Sequence, residues 1–210
     1  ESIVAESSSM KNLCEMLEHV APTDTTVLIC GESGTGKSLV ARTLHEHSGR
    51  KGSKFVSINC EALPAAILEG ELFGCAKGAS PDDPAGKEGV FESAAGGTVY
   101  LAGIEAMPLG IQEKLVRMLQ EKEITRLGAS TKVHINIRIL AGTSVNLERF
   151  IREGKFREDL YYRLSVIPMD IKPLRERKED ILPLVYHTIL RELGGGAEMP
   201  ALEPQARDVL

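Results

Sequence analysis

Residues 27–38 read VLICGESGTGKS, and this stretch decides the fold. Val27-Leu28-Ile29-Cys30 is a short apolar run bounded by Thr25 and Gly31, the pattern of a buried strand. Gly31 to Ser38 then fits GxxxxGK[ST], a phosphate-binding loop. Gly31, Gly34 and Gly36 permit tight turns in which successive N–H groups converge on phosphate oxygens. Lys37 brings a charge to the β/γ-phosphates, and the Ser38 hydroxyl is a ligand for Mg²⁺. Leu39, Val40 and Leu44 continue as a helix whose positive end faces the anion. The predicted nucleotide-binding set is therefore Gly31, Glu32, Ser33, Gly34, Thr35, Gly36, Lys37, Ser38 and Leu39, with ATP or ADP and Mg²⁺ as cofactors. A chance glycine-rich turn would lack the strand before it and the helix after it.

Further elements follow on either side. Ser7-Ser8-Ser9 offers caps for a helix to about His19. Phe55–Ile58, Thr98–Leu101 and Ile137–Ala141 read as strands, and a helix runs from Pro108 to about Glu121. Strands alternating with helices predict a parallel α/β sheet wrapped on both faces. Residues 75–89, CAKGASPDDPAGKEG, read as an exposed loop. From Glu179 the pattern is helical, Gly194-Gly195-Gly196 breaks it, and Pro204 opens another helix. The expected division is an α/β nucleotide-binding domain at 1–178 and the start of a helical lid at 179–210.

Composition agrees. The chain has 210 residues, 42% hydrophobic and 26% charged, with a net charge of −5. That suits a globular domain and gives no basic footprint for gripping nucleic acid. There is no run of 18 apolar residues and no signal-peptide pattern, so no membrane partner is expected. Cys14, Cys30, Cys60 and Cys75 form no CxxC pair; free thiols beside a phosphate loop point to a reducing cytoplasm. The first residue is Glu1 and the apolar pattern runs to Leu210, as in an excerpt of a longer protein. His45, His47 and His134 do not fit a zinc constellation with these cysteines. Lys172, Arg175, Arg177 and Lys178 read as a basic patch, solvated or near a subunit interface.

GESGTGK at 31–37, INCEAL at 58–63, GELFG at 70–74, GGTVYL at 96–101, FREDLYYRL at 156–164 and PLRERKEDI at 173–181 occur in this order. With these motifs the chain resembles the central AAA+ domain of bacterial sigma-54-dependent transcription activators over nearly its whole length. The resemblance implies a P-loop AAA+ parallel sheet sandwiched by helices, and a homo-oligomeric, hexameric or heptameric ring with nucleotide between subunits. It also implies work on RNA polymerase or its sigma factor, with DNA met only through a domain outside this chain. FREDLYYRL matches the segment that supplies trans-acting arginines, here Arg157 and Arg163. Such a guanidinium is worth ~10³–10⁵ in rate where it reaches a neighbour's γ-phosphate. The plainer alternative pairs both arginines with Glu158 or Asp159 on a helix face.

Three departures stand out. The family's Asp-Glu after the apolar strand falls on Ala102 and Gly103, which have no side-chain oxygen for magnesium or for a water. The family's GAFTGA loop falls on 78–83, so that Ser80, Pro81 and Asp82 rewrite its tip. Ser144 stands where the family has a γ-phosphate-sensing Asn. Asn59, which restrains the catalytic Glu in the family, is kept without that partner. Conversely, Ser38 replaces the family's usual Glu after the loop lysine. Glu105 and Glu92 are the acids that could rescue hydrolysis; Glu105 reads as a surface carboxylate too far from the strand end.

The expected function is a nucleotide-binding, oligomerising regulatory domain with little or no hydrolysis and without normal sigma-54 remodelling. Two alternatives stay open. One is an active ATPase driving open-complex formation with relocated acids, and the other is a sensor of a signalling nucleotide such as a cyclic dinucleotide.

Overall fold

The computed structural model describes residues 3–79 and 85–193. In chain order the elements are α1 (Ser8–Val20), β1 (Val27–Cys30), α2 (Lys37–Glu46), β2 (Phe55–Asn59) and α3 (Ala65–Phe73). Next come β3 (Gly74–Cys75), β4 (Lys87–Glu88), α4 (Val90–Ser93), β5 (Thr98–Ala102) and α5 (Leu109–Glu121). The remainder are β6 (Glu123–Thr125), β7 (Lys132–His134), β8 (Arg138–Thr143), α6 (Leu147–Arg152), α7 (Glu158–Leu164), β9 (Ile167–Asp170) and α8 (Ile181–Leu193).

The main sheet has the order β2-β5-β8-β1-β9 with every neighbouring pair parallel. Strand alternation divides its side chains between two apolar layers. Leu28, Val99, Leu101 and Ile139 face α3, α4, α5 and α7, where they meet Leu68, Phe91 and Leu115. Val27, Ile29, Tyr100 and Leu140 face α1 and α2, against Leu13, Leu17 and Leu44. The same alternation places Ala102 on the α2 side, two residues beyond Tyr100. β1 lies inside the sheet, so the loop that follows it opens above the carboxyl ends of several strands.

Local chemistry fixes the elements. Ser7 caps α1 by accepting from the Met10 N–H at 3.4 Å. At the other end the buried Arg138 guanidinium donates to Val20 O at 3.0 Å and Ala21 O at 2.8 Å. A cation thereby satisfies carbonyls that the helix leaves open.

The strands expected at 55–58, 98–101 and 137–141 are present within two residues at each end. Residues 75–89 are not wholly loop: Gly74–Cys75 pairs antiparallel with Lys87–Glu88 as a short stem. Ser80, Pro81 and Asp82 lie outside the described residues, as do Gly194–Gly196 and Pro204. The edge strand β9 was not expected from the sequence, because Pro168 interrupts its short apolar pattern. An edge position accommodates a proline that cannot donate to the ladder. Among the described residues no helix is long and apolar enough to cross a membrane.

Candidate nucleotide site

The loop after β1 is anchored where Gly31 N–H donates to Thr143 O at 3.2 Å. Gly34 and Gly36 have φ of 81° and 101°, in the left-handed region that favours glycine. A Cβ at either would meet nothing within 4 Å, so the requirement is one of dihedral angle rather than space. Gly36 is the N-cap of α2 and offers no side chain to it, which leaves the first-turn N–H groups open to an anion. Thr35 Oγ1 closes the loop by donating to Glu32 O at 2.8 Å. Lys37 Nζ donates to Gly31 O at 2.6 Å and Glu32 O at 2.9 Å. Burial draws the Lys37 pKa below the usual lysine range, while the carboxylates of Glu105 and Glu61 act in the opposite direction.

Of the clefts that border this loop, two bear on nucleotide binding. The first, about 440 Å³, runs from Ser33–Gly36 to an apolar wall of Ile3, Val4, Leu39, Leu174 and Leu184. An apolar slot beside a phosphate loop suits a flat aromatic base. Its rim is tied to the loop: Arg175 grips Glu32 with two hydrogen bonds of 2.7 and 2.5 Å, and the buried Arg177 donates to Thr35 O at 3.1 Å. Arg177 is therefore buried rather than part of a solvated basic patch, which corrects the sequence reading at that residue, whereas Arg175 stays exposed as that reading had it. Asp180, fully buried, accepts from Glu6 N–H at 2.8 Å and from the N–H and hydroxyl of Ser7 at 2.7 Å each. Burial alone would raise its pKa; these donors and Arg177 outweigh it and hold the carboxyl below its ordinary value.

The second cleft, about 330 Å³, lies between the loop and the ends of β2, β5 and β8. Lys37, Ser38, Asn59, Glu61, Tyr100, Ala102, Gly103 and Ser144 line it. Ala102 and Gly103 thus do sit beside the phosphate loop, and they bring no oxygen. Gly103 has φ 63°, and a Cβ there would lie 2.7 Å from Glu61 Cγ. Glu61 N–H donates to Asn59 Oδ1 at 3.0 Å. Ser144 donates both its N–H and its hydroxyl to Glu105 Oε1, each at 2.8 Å. Glu105 is therefore not a remote surface carboxylate: the left-handed turn at Gly103 swings it back to the end of β8. Its Oε2 is buried and without a hydrogen bond.

Tyr100 is 1% exposed, and its hydroxyl also lacks a hydrogen bond. Gly142 makes room for it, since a Cβ there would fall 2.2 Å from the hydroxyl oxygen. Burial pushes the Tyr100 pKa up, opposed by the neighbouring Ser38 hydroxyl. Burial likewise lifts the thiols of Cys30 and Cys60 to about 11 and about 12, with Asp170 adding to the first and Glu105 to both. Both stay neutral and unreactive at neutral pH. Glu92, the other acid considered, is engaged with Arg126 at 2.6 Å.

Neither Arg157 nor Arg163 lines these clefts. Arg157 precedes α7 and pairs with Asp159 at 2.8 Å, as the plainer sequence reading had it; Arg163 is exposed. Among the described residues no three His, Cys, Asp or Glu side chains gather to hold a metal. Mg²⁺ would therefore rely on Ser38 together with phosphate oxygens, and the orphaned Tyr100 hydroxyl and Glu105 Oε2 leave polar capacity beside them.

Comparison with known proteins agrees with this fold. The sigma-54 interaction domain family matches residues 3–170. The sigma-54-dependent transcriptional activator SfnR of Pseudomonas putida is 50% identical over 186 residues, covering 89% of this chain and 51% of its own. The response regulator protein FleR of Pseudomonas aeruginosa is 47% identical over 210 residues, covering 99% of this chain and 44% of its own. This chain therefore spans about half the length, or less, of these relatives. The solved structures of NtrX from Brucella abortus in complex with ADP and with ATP each superpose with a TM-score of 0.87 at 37% identity, covering 97% of this chain and 44% of that one.

Proposed function

Because this chain belongs to the sigma-54 interaction domain family, we propose that it is the nucleotide-binding, ring-forming central domain of a transcriptional regulator, with slow ATP turnover. The observation that carries the reading is the pairing of an intact grip with an altered catalytic edge. Ser33–Gly36 and the uncapped start of α2 border an apolar slot, while Lys37 and Ser38 line the adjoining cleft into which the end of β5 presents Ala102 and Gly103. Occupancy of the slot by ATP then sets the oligomeric state. Arg157 and Arg163 serve the neighbouring subunit, which agrees with their absence from the clefts of their own chain. Magnesium bound at Ser38 would offset phosphate charge there. The regulator acts on RNA polymerase, and the rewritten 80–82 segment argues against the usual sigma-54 contact.

Calorimetric titration with ATP, ADP, GTP and a cyclic dinucleotide, followed by sedimentation with and without ATP, tests this. ATP binding with ATP-dependent oligomers is expected, with slower turnover than in a relative that keeps Asp-Glu after the strand. Preference for the cyclic dinucleotide, or turnover equal to that relative's, would overturn it. The relocated-acid alternative gains one specific observation, the position of Glu61 on the wall of the second cleft and of Glu105 against Ser144.

A further inference from the structure

We propose that Glu61 is the carboxylate that activates the attacking water in this chain, in place of the acid missing from the end of β5; this rests on the nucleotide-binding reading above. Glu61 and a side chain at position 103 compete for one space. A Cβ on residue 103 would lie 2.7 Å from Glu61 Cγ, 3.0 Å from Cδ and 3.1 Å from Oε1. The positive φ of 63° at Gly103 disfavours any side chain there in addition. A carboxylate therefore enters this volume from the loop after β2 instead of from β5.

Its surroundings suit a base. Glu61 lines the 330 Å³ cleft with Lys37 and Ser38, and its field is felt at the Lys37 ammonium. Its backbone is fixed by the hydrogen bond to Asn59 Oδ1, and the residue is exposed, so water reaches it. An acidic group alone would not mark a site. The independent observation is Tyr100, 1% exposed, whose hydroxyl belongs to the same cleft, has only the Ser38 hydroxyl beside it and completes no well-formed hydrogen bond. A buried hydroxyl left open in this way points to a polar ligand in the cleft.

The step balances simply. The water oxygen forms a bond to the γ-phosphorus as the bond from that phosphorus to the β,γ-bridging oxygen breaks, its electron pair leaving on ADP. Glu61 takes the proton of the water and returns it to solvent, and inorganic phosphate departs.

The test uses the whole chain at concentrations where oligomers form, comparing the unaltered protein with Glu61→Gln and Glu61→Asp. Calorimetry measures Mg²⁺-ATP binding, and phosphate release measures turnover across pH. Glu61→Gln is expected to bind within about threefold of the unaltered chain and to lose turnover by about 10²-fold or more. Glu61→Asp is expected to recover part of that loss, and the acidic limb of the rate profile is expected to disappear in Glu61→Gln. Unchanged turnover in Glu61→Gln, equal loss of binding and turnover, or ATP binding with no phosphate release by the unaltered chain would each overturn the assignment. Failure of the unaltered chain to bind ATP would overturn the nucleotide reading as well.

Discussion

Ser144 donates its backbone N–H and its hydroxyl to the same oxygen of Glu105, both at 2.8 Å, and so fixes a carboxylate at the mouth of the phosphate loop. The two residues are 39 apart in sequence and meet because Gly103 turns the chain after β5. Charge at Glu105 supports the charged form of Lys37 and would add to the pull on a cation held by phosphates. Glu105→Gln keeps the steric volume and removes that charge. The expected outcome is that the gain in ATP affinity produced by Mg²⁺ shrinks by about three- to tenfold, an electrostatic change of up to about 1.4 kcal/mol. Titrations in Mg²⁺ and in a chelator measure it, and an undiminished Mg²⁺ effect would remove Glu105 from the cation's surroundings.

Asp180 couples folding to acid. Its folded pKa lies below the ordinary value. Its contribution is therefore fully present above the unfolded pKa of about 3.9 and is lost as pH falls through the lower folded value. Urea midpoints are expected to drop as pH falls below about 4, and the drop is expected to be smaller in Asp180→Asn. At neutral pH that variant is expected to cost about 1.5–3 kcal/mol, because three donors from Glu6 and Ser7 lose a charged acceptor. A steeper acid loss in Asp180→Asn than in the unaltered chain would contradict the sign.

Gly103→Ala tests whether the turn is built for glycine. Alanine at φ 63° is strained by about 1–2 kcal/mol, and its methyl must displace the Glu61 side chain. Lower stability in urea is expected together with slower turnover. Gly34→Ala is the useful contrast: it shares the positive φ, yet its Cβ would meet no atom within 4 Å. Equal stability of Gly103→Ala and the unaltered chain would show that the turn relaxes freely.

Periodicity and punctuation made much of the sheet legible. VLIC before GESGTGKS and the stretch at 137–141 lie inside the sheet, so the first announces itself as an unbroken apolar run and the second as one interrupted only by the buried Arg138. β9 did not, since IPMD is short and pairs with only one neighbour. Helix α3 was equally quiet: AAILEGELF is apolar around most of its circumference and shows little amphipathic contrast. The phosphate loop was readable because its chemistry is contiguous. Glu61 was not, and Glu105 was noticed but placed too far away, because their positions depend on one backbone dihedral at Gly103 and on contacts across 39 to 42 residues. Arg177 read as surface charge for the same reason; the carbonyl that takes its hydrogen bond, Thr35 O, lies over 140 residues earlier.

Ala102→Asp separates a lost function from a relocated one. Ala102 ends β5 on the α2 face, paired in register with Asn59 on one side and Gly142 on the other. Ala102 is only half-buried and lines the second cleft, so a carboxylate there can extend into the cleft beside Ser38. There it would support a metal at the phosphates without touching the space that Glu61 fills over Gly103. If Glu61 already supplies the base, Ala102→Asp alone is expected to raise Mg²⁺-ATP turnover by about tenfold or more, and adding Glu61→Gln is expected to abolish the gain. If the site were catalytically silent for want of any base, Ala102→Asp would tighten Mg²⁺-dependent binding and leave phosphate release unchanged. Single-turnover phosphate release on the two variants and the double variant distinguishes the cases, because metal support and water activation then reside on different strands and can be removed one at a time.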